Sequence, residues 1–488
     1  MSDSGKAATS LKQRAIRGGL ASLCSQATSA LLRIGAVMFL ARLLTPADFG
    51  LIAMVMAFVG VLNLFRDLGL STATLQRTSV SHDQLSTLFW INVLVGVALS
   101  CITAAIAPAL AVFYGEPRLT WVTIGLAGTF VLNAAGIQHS ALLQRQMRFA
   151  VVAAIESLSL FVSVAVGLAM AMLGAGYWAL VGMTLATPLS YSTGVWLASG
   201  WVPGRPHRDA GVTSMIRTGG IVTVNGLVVY AAYNSEKILL GRFWGADALG
   251  LYGRAYQLIS LPTETLNAAF TGVAISTLSR LKDDPARMRN YFLKWYALLI
   301  AVTLPLTAAC ALFADDVVFL MLGPHWIEAV PIFRLLAPTI LIFAMINPMG
   351  ALLVAQGMLL RSFHLALALA PVVIAGYLVG LPWGPKGVAM GFSIAMSLWL
   401  VPHLAWCVHG TVVSLKDVAV SVSRPLASVL IATVASGAVT FGLMSSVPPW
   451  LRLITGVLVL AAVYLGVLLF ATGQRALYLE VLNEVKRR

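Results

Sequence analysis

ARLLTPADFGLIAM at residues 41–54 and GRFWGADALGLYGR at 241–254 repeat one pattern: Arg42 matches Arg242, Gly50 matches Gly250 and Leu51 matches Leu251, at an offset of 200 residues. Flanking sequence keeps nearly the same offset, since Gly18-Gly19 recurs as Gly219-Gly220 and ATLQR at 73–77 resembles STLSR at 276–280. Each copy joins one long apolar stretch to the next. A repeat of six such stretches brings both copies into a membrane from the same side, so the two halves should be related by a pseudo-twofold axis along the membrane normal.

The rest of the chain fits that reading. Of 488 residues, 59% are hydrophobic and only 10% charged, with a mean hydropathy of +0.89, outside the range of soluble globular domains. Stretches of about 20 apolar residues, enough to cross roughly 30 Å of hydrocarbon as a helix, fall near 17–42, 48–74, 86–112, 119–141, 149–172, 176–200, 215–240, 247–275, 292–313, 330–354, 363–381, 386–408, 424–444 and 450–472. Helices are expected because lipid satisfies no backbone N–H or C=O, and the alternating ten-residue pattern of a membrane barrel is lacking. The fold class is therefore all-α and polytopic, with about fourteen transmembrane helices: two six-helix bundles plus an appended C-terminal pair.

With the N-terminus on the cytoplasmic side, 22 of the 32 Lys and Arg fall in cytoplasmic segments, including Arg145, Arg148, Arg280, Arg287 and Arg289. Five lie on the opposite face (Arg42, Arg118, Arg242, Lys386, Arg452), and Arg33, Arg66, Lys237, Arg254 and Arg334 fall inside spans. An odd number of spans would spoil this asymmetry, so both termini are expected in the cytoplasm. The net charge of +14 then reflects topology and anionic headgroups; no nucleic acid is implied. The expected organisation is a cytoplasmic segment 1–16, a bundle 17–200, a cytoplasmic linker 201–214, a bundle 215–408, a second linker 409–423, the appended pair 424–472 and a cytoplasmic tail 473–488. The first apolar stretch reads as a retained anchor rather than a cleaved signal peptide. Cys24, Cys101, Cys310 and Cys407 all fall within spans without CxxC spacing, which points to small buried hydrophobes and to no metal site.

The runs LARLLTPADFGLIAMVMAFVGVLNLFRDLGLSTATLQR at 40–77, STLFWINVLVG at 86–96, LLQRQMRF at 142–149 and ILLGRFWGADALGLYGRAYQL at 238–258 resemble the polysaccharide (O-antigen and colanic-acid type, Wzx-like) flippases of the multidrug/oligosaccharidyl-lipid/polysaccharide exporter superfamily. The resemblance implies a non-enzymatic transporter in polysaccharide or lipopolysaccharide biosynthesis, in a bacterial inner membrane. Its substrate would be an undecaprenyl-diphosphate-linked oligosaccharide, moved from the cytoplasmic to the periplasmic leaflet without a cofactor. Implied partners are that polyprenyl diphosphate, membrane lipids and the polysaccharide polymerase or export machinery.

Ionisable groups inside spans are costly, about 2.5–3.5 kcal/mol each on insertion scales, and so mark candidate sites. A diphosphate-bearing substrate needs cations in a water-filled cleft, and the candidate headgroup residues are Arg33, Arg254, Arg66 and Lys237, with Gln26 one heptad before Arg33. Arginine suits phosphate because its guanidinium can fork onto two oxygens. Asp67, Glu236 and Glu264 are candidate ion-coupling carboxylates. The competing reading makes each a structural bolt between helices, and Arg334 a side chain reaching for the membrane surface. Walker A, GxSxG, HExxH and paired-carboxylate patterns are missing. The alternatives are a drug/cation antiporter of the same superfamily, a polytopic glycan polymerase or ligase, and a non-transporting scaffold.

Overall fold

In the computed structural model residues 28–66, 81–206, 213–281, 283–443 and 447–471 are described, and among them all regular structure is helical. The first helix, α1, covers residues 28–43. It is followed by α2 (Pro46–Asn63), α3 (His82–Tyr114), α4 (Leu119–Arg145), α5 (Phe149–Met172), α6 (Trp178–Ser199) and α7 (Thr213–Arg280). Beyond it run α8 (Pro285–Leu312), the short α9 (Ala314–Leu322) and α10 (Ala329–Leu336), then α11 (Pro338–Ala355), α12 (Leu359–Gly380), α13 (Gly384–Val408), α14 (Leu415–Leu443) and α15 (Pro449–Gly466).

Nine segments among the described residues are long and apolar enough to cross a membrane, one of them, Leu360–Val408, containing most of both α12 and α13. Helices α6 and α7 fall outside that set for legible reasons. In α6 the apolar run is diluted by Thr184, Thr187, Ser190 and Thr193, whose hydroxyls donate back to carbonyls one turn earlier, which keeps them satisfied in a dry environment. In α7 the interruption is charge: Glu236, Lys237 and Arg254 sit within it.

The helix ends follow local chemistry. Thr45 caps α2 through a reciprocal box with Asp48, with Pro46 in the first turn, and Ser81 caps α3 in the same way with Gln84. Helix α7 is continuous over 68 residues except at Gly245, where φ is 81° and ψ is −173°, a region open essentially to glycine alone. The two spans expected at 215–240 and 247–275 are thus the two limbs of α7. The span expected at 48–74 ends as a helix at Asn63, with residues 64–66 in a turn. The span expected at 330–354 is α10 followed at once by α11: Ala337 between them keeps right-handed helical geometry (φ −52°, ψ −40°), and Pro338, which has no amide hydrogen to donate, interrupts the hydrogen-bond ladder. The connection expected around 313–330 contains a helix, α9.

Contacts divide the chain into two compact units, Met1–Gly250 and Leu251–Arg488. In the first, α3 packs on α4, α4 on α6 and α5 on α6. Hydrogen bonds from side chains to buried backbone or polar groups tie these helices together: Trp196 Nε1 donates to the Ala135 carbonyl at 2.7 Å, Ser163 Oγ to that of Met183 at 3.0 Å, and Ser140 and Tyr191 pair at 2.7 Å. Such contacts, with close van der Waals packing, replace the hydrophobic drive that lipid does not supply between helices. The first residues of the linker after α6 are strapped to the start of α3, where Trp90 Nε1 donates to the Gly204 carbonyl at 2.9 Å and the Gly204 amide donates to Ser86 Oγ at 2.9 Å.

In the second unit α8 is the central post. Tyr296, fully buried, donates to the Met345 carbonyl of α11, and Tyr464 of α15 donates to the Ala301 carbonyl of α8 at 2.7 Å. The pair α14–α15 is fixed at both ends of α8. Near its start, Arg289 grips Asp417 with Nε at 3.0 Å and Nη2 at 2.5 Å. Just past its end, Asp316, only 2% exposed, receives Arg452, with Nε at 2.9 Å. Bidentate guanidinium–carboxylate pairs fix orientation as well as position.

Candidate functional site

In the first unit, the first limb of α7 carries a connected set of polar side chains. On one face Tyr230, Asn234 and Lys237 follow at helical spacing. Lys237 Nζ donates to Asn234 Oδ1 at 2.6 Å, Asn234 Nδ2 donates to the Tyr230 carbonyl at 2.9 Å, and Tyr230 Oη donates to the Met56 carbonyl of α2 at 2.8 Å. The Tyr230 hydroxyl lies over Gly60, where any β-carbon would occupy its place. A ladder of polar groups thus runs along the limb and is pinned to α2. Beside it Glu236 is 3% exposed, and its Oε2 is enclosed without a hydrogen-bond partner.

The other sequence candidates lie on other elements or on the second limb of α7. Arg33 lies on α1 with an exposed side chain. Arg66 lies in the turn beyond α2, outside the helix in which the sequence reading put it. Arg254 is on the second limb of α7, in the second unit, where Nη1 donates to Gln257 Oε1. Glu264 is exposed. Gln26 and Asp67 lie outside the described residues. Arg334 pairs with Asp315 and is half exposed.

Two residues escaped the sequence reading, Asn234 and Gln257. Each sits three residues from a candidate cation and orients it; the signal was that spacing, which places neighbours on one helix face. Tyr230 and Lys237, seven residues apart, share one helix face with Asn234 between them. On α2, Asn63 donates its carboxamide to the Val59 carbonyl at 3.1 Å.

Near the far end of the limb the surface is cationic and aromatic. The Arg242 guanidinium stands 5.6 Å from the centre of the Phe113 ring, a cation–π arrangement. In the turn between α3 and α4, Arg118 forks onto Glu116 at 2.8 and 2.9 Å. That hydrogen-bonded guanidinium holds the Glu116 carboxyl below the usual carboxylate range and raises Arg118 in return. Among the described residues no cluster of three His, Cys, Asp or Glu could hold a metal ion.

Residues 39–331 match the family model described as polysaccharide biosynthesis protein. The chain belongs to the polysaccharide biosynthesis protein family. The matched stretch includes the ladder, Arg254 and both copies of the repeated motif. Among relatives, the lipopolysaccharide biosynthesis protein WzxC of Escherichia coli (strain K12) is 26% identical over 398 residues, covering 79% of each chain. The teichuronic acid biosynthesis protein TuaB of Bacillus subtilis (strain 168) is 30% identical over 303 residues, 61% of this chain and 62% of TuaB. Among solved structures, the lipid II flippase MurJ in its inward closed conformation superposes with a TM-score of 0.76 at 13% identity, covering 94% of this chain and 99% of MurJ. A multidrug resistance MATE transporter in its inward-facing conformation gives 0.62 at 16% identity, covering 78% of this chain and 93% of that one. This member of the polysaccharide biosynthesis family is thus an all-helical, multi-pass membrane protein with the fold shared by MurJ and the MATE transporters.

Proposed function

We propose that the protein is a flippase that moves a polyprenyl-diphosphate-linked oligosaccharide from the cytoplasmic to the outer leaflet of a bacterial inner membrane by alternating access. The observation that carries this reading is α7, a helix of a multi-pass polysaccharide-family protein that retains Lys237 and Arg254 together with hydroxyl and carboxamide groups where lipid would select against them. Cations solvate a diphosphate, and the Tyr230–Asn234–Lys237 ladder offers donors suited to a phosphate or a sugar. Arg33 and Arg66 complete the proposed headgroup site, and Gln26, one heptad before Arg33 in the sequence, is proposed to contribute to it.

In this reading residues 17–200 and 215–408 form two bundles about an axis along the membrane normal, 424–472 is an accessory pair, and both termini are cytoplasmic. Glu236, Glu264 and Asp67 are the carboxylates available to couple an ion gradient to the cycle. The relatives WzxC and TuaB, named for lipopolysaccharide and teichuronic acid biosynthesis, support placing the activity before glycan polymerisation or export, with that machinery as the partner.

Depletion of the protein in its own cell is the decisive experiment. Lipid-linked oligosaccharide should accumulate on the cytoplasmic leaflet, detected by its inaccessibility to periplasmic enzymes in intact spheroplasts. A drug/cation antiporter would leave that pool unchanged, and this outcome would remove the flippase reading.

A further inference from the structure

The two copies of the repeated motif touch each other. A β-carbon built on Gly50 of α2 would stand 1.8 Å from the Ala246 carbonyl oxygen, and one built on Gly250 would stand 1.9 Å from the Pro46 carbonyl oxygen. The contact is reciprocal and keeps the repeat's own offset, since 46 pairs with 250 as 246 pairs with 50. Two short segments, 46–50 and 246–250, thus cross about a local twofold axis, with Gly50 against the Ala246 carbonyl and Gly250 against the Pro46 carbonyl. Only glycine permits that approach, and the spacing of four places a small residue on the same face of each segment. Weak Cα–H···O contacts are the attraction available at such a crossing.

The crossing sits at a break in both strands of the repeat. Thr45 is the N-cap at which α1 gives way to α2, and Gly245, its repeat mate, is the non-helical residue between the limbs of α7. A polar and aromatic layer adjoins it on the first limb, with Arg242 over Phe113 and Gly241 against Tyr114. The ladder residue Asn234 lies twelve residues before Ala246, roughly 18 Å away at 1.5 Å per residue.

We propose that the Gly50–Gly250 crossing is the outer gate of the transport path, closed in this structure, and that it must part for the substrate to leave. This rests on the alternating-access reading above and adds to it the closing contact. A gate of this construction holds little side-chain surface together and no ion pair, so it can separate without exposing a buried charge. It is also sensitive to a single methyl group, because the neighbour that must yield is backbone rather than a flexible side chain.

The test uses the full chain with Cys24, Cys101, Cys310 and Cys407 replaced by Ala and a reporter cysteine at Asn234→Cys. Labelling by a membrane-impermeant maleimide from outside should become about tenfold faster in Gly50→Ala and in Gly250→Ala, because the wedge shifts the open–closed balance by that factor. Gly253→Ala, whose added methyl meets nothing, should label like the parent. Unchanged labelling in folded Gly50→Ala and Gly250→Ala variants, or an equal rise in Gly253→Ala, would overturn the proposal. A second arm covers variants that do not fold. Ala47→Cys with Asp247→Cys, without the reporter, is joined by a reducible bis-maleimide. Glycan flipping should stop when the linker is in place and resume on reduction, whereas flipping that continues through the linked protein would overturn the gate. The unlinked parent reports on the flippase reading separately: if it moves no lipid-linked glycan while the labelling pattern holds, the gate stands and the substrate assignment fails.

Discussion

At the scale of single residues, the protein's charges divide into those that fasten helices and those proposed for transport, and among the fastening pairs burial sets how much each is worth. Asp316 is almost completely enclosed and grips Arg452, whereas the Arg289 partner of Asp417 is 43% exposed. Asp316→Ala should therefore lower stability by an amount near the lower end of about 3–5 kcal/mol, because Arg452 would be left partly buried and uncompensated. Asp417→Ala should cost about 1 kcal/mol or less through its ion pair, with a further loss from its cap on α14. Thermal unfolding in detergent, with both variants side by side, checks the order; equal losses would mean that burial does not govern these pairs. For the proposed headgroup cations the expectation is the reverse. Arg33→Ala and Arg254→Ala should each abolish flipping while leaving the melting temperature near the parent's, and Lys should restore only part of the rate, since it keeps the charge and loses the fork. Loss of stability in step with loss of transport would make them bolts. The cations were legible because hydrocarbon penalises them. Asn234 and Gln257 were not, because a carboxamide in a membrane helix is as often helix glue as site.

At the scale of elements, hydropathy located the helices well and their ends less well. The window at 48–74 overran because Leu64, Phe65, Leu68 and Leu70 continue the apolar composition past Asn63, where α2 stops. The connection at 313–330 carries no hydropathy signal, yet Asp315 and Asp316 start a helix whose carboxylates fasten Arg334 and Arg452. Composition carries no signal for a partner that arrives 136 residues later. The break in α7 was legible by a different route. Its position follows from the repeat, since residue 245 answers to Thr45, and glycine there allows a backbone that other residues avoid. Gly245→Ala should destabilise the protein by about 1–3 kcal/mol through backbone strain alone. Thr45→Ala, at the mate position with φ of −87°, should cost about 1 kcal/mol through its lost cap. Both follow from differential scanning of the purified variants, and a Gly245→Ala protein as stable as the parent would show that the break is not held in that conformation.

At the scale of the whole molecule, the repeat and the Lys/Arg distribution are independent lines of argument that agree. A repeat of six spans preserves the side of entry, so the two copies of the motif must lie at the same membrane face. The cations then decide which face. Arg42 and Arg242, the matched pair, belong to the sparse set, while the linker after the second limb of α7 carries Arg280, Lys282, Arg287 and Arg289. Positive residues close to span ends are retained in the cytoplasm during insertion, so the proposed topology has the motif facing outward and the basic linker inward. One helix, α7, connects these two places, and its second limb must therefore cross the bilayer completely despite Arg254 and Glu264. A reporter active only in the periplasm should be active when fused after residue 247 and silent after residue 284, and a cytoplasmic reporter should give the opposite result. Neutralising Arg280, Lys282, Arg287 and Arg289 together should weaken that contrast, because they supply the local positive excess that holds the linker inside, whereas neutralising Arg242 should leave it unchanged. If the fusion at 247 is cytoplasmic, the motif faces inward and the Gly50–Gly250 crossing becomes an inner closure. The same labelling experiment performed on inverted vesicles would then report its opening.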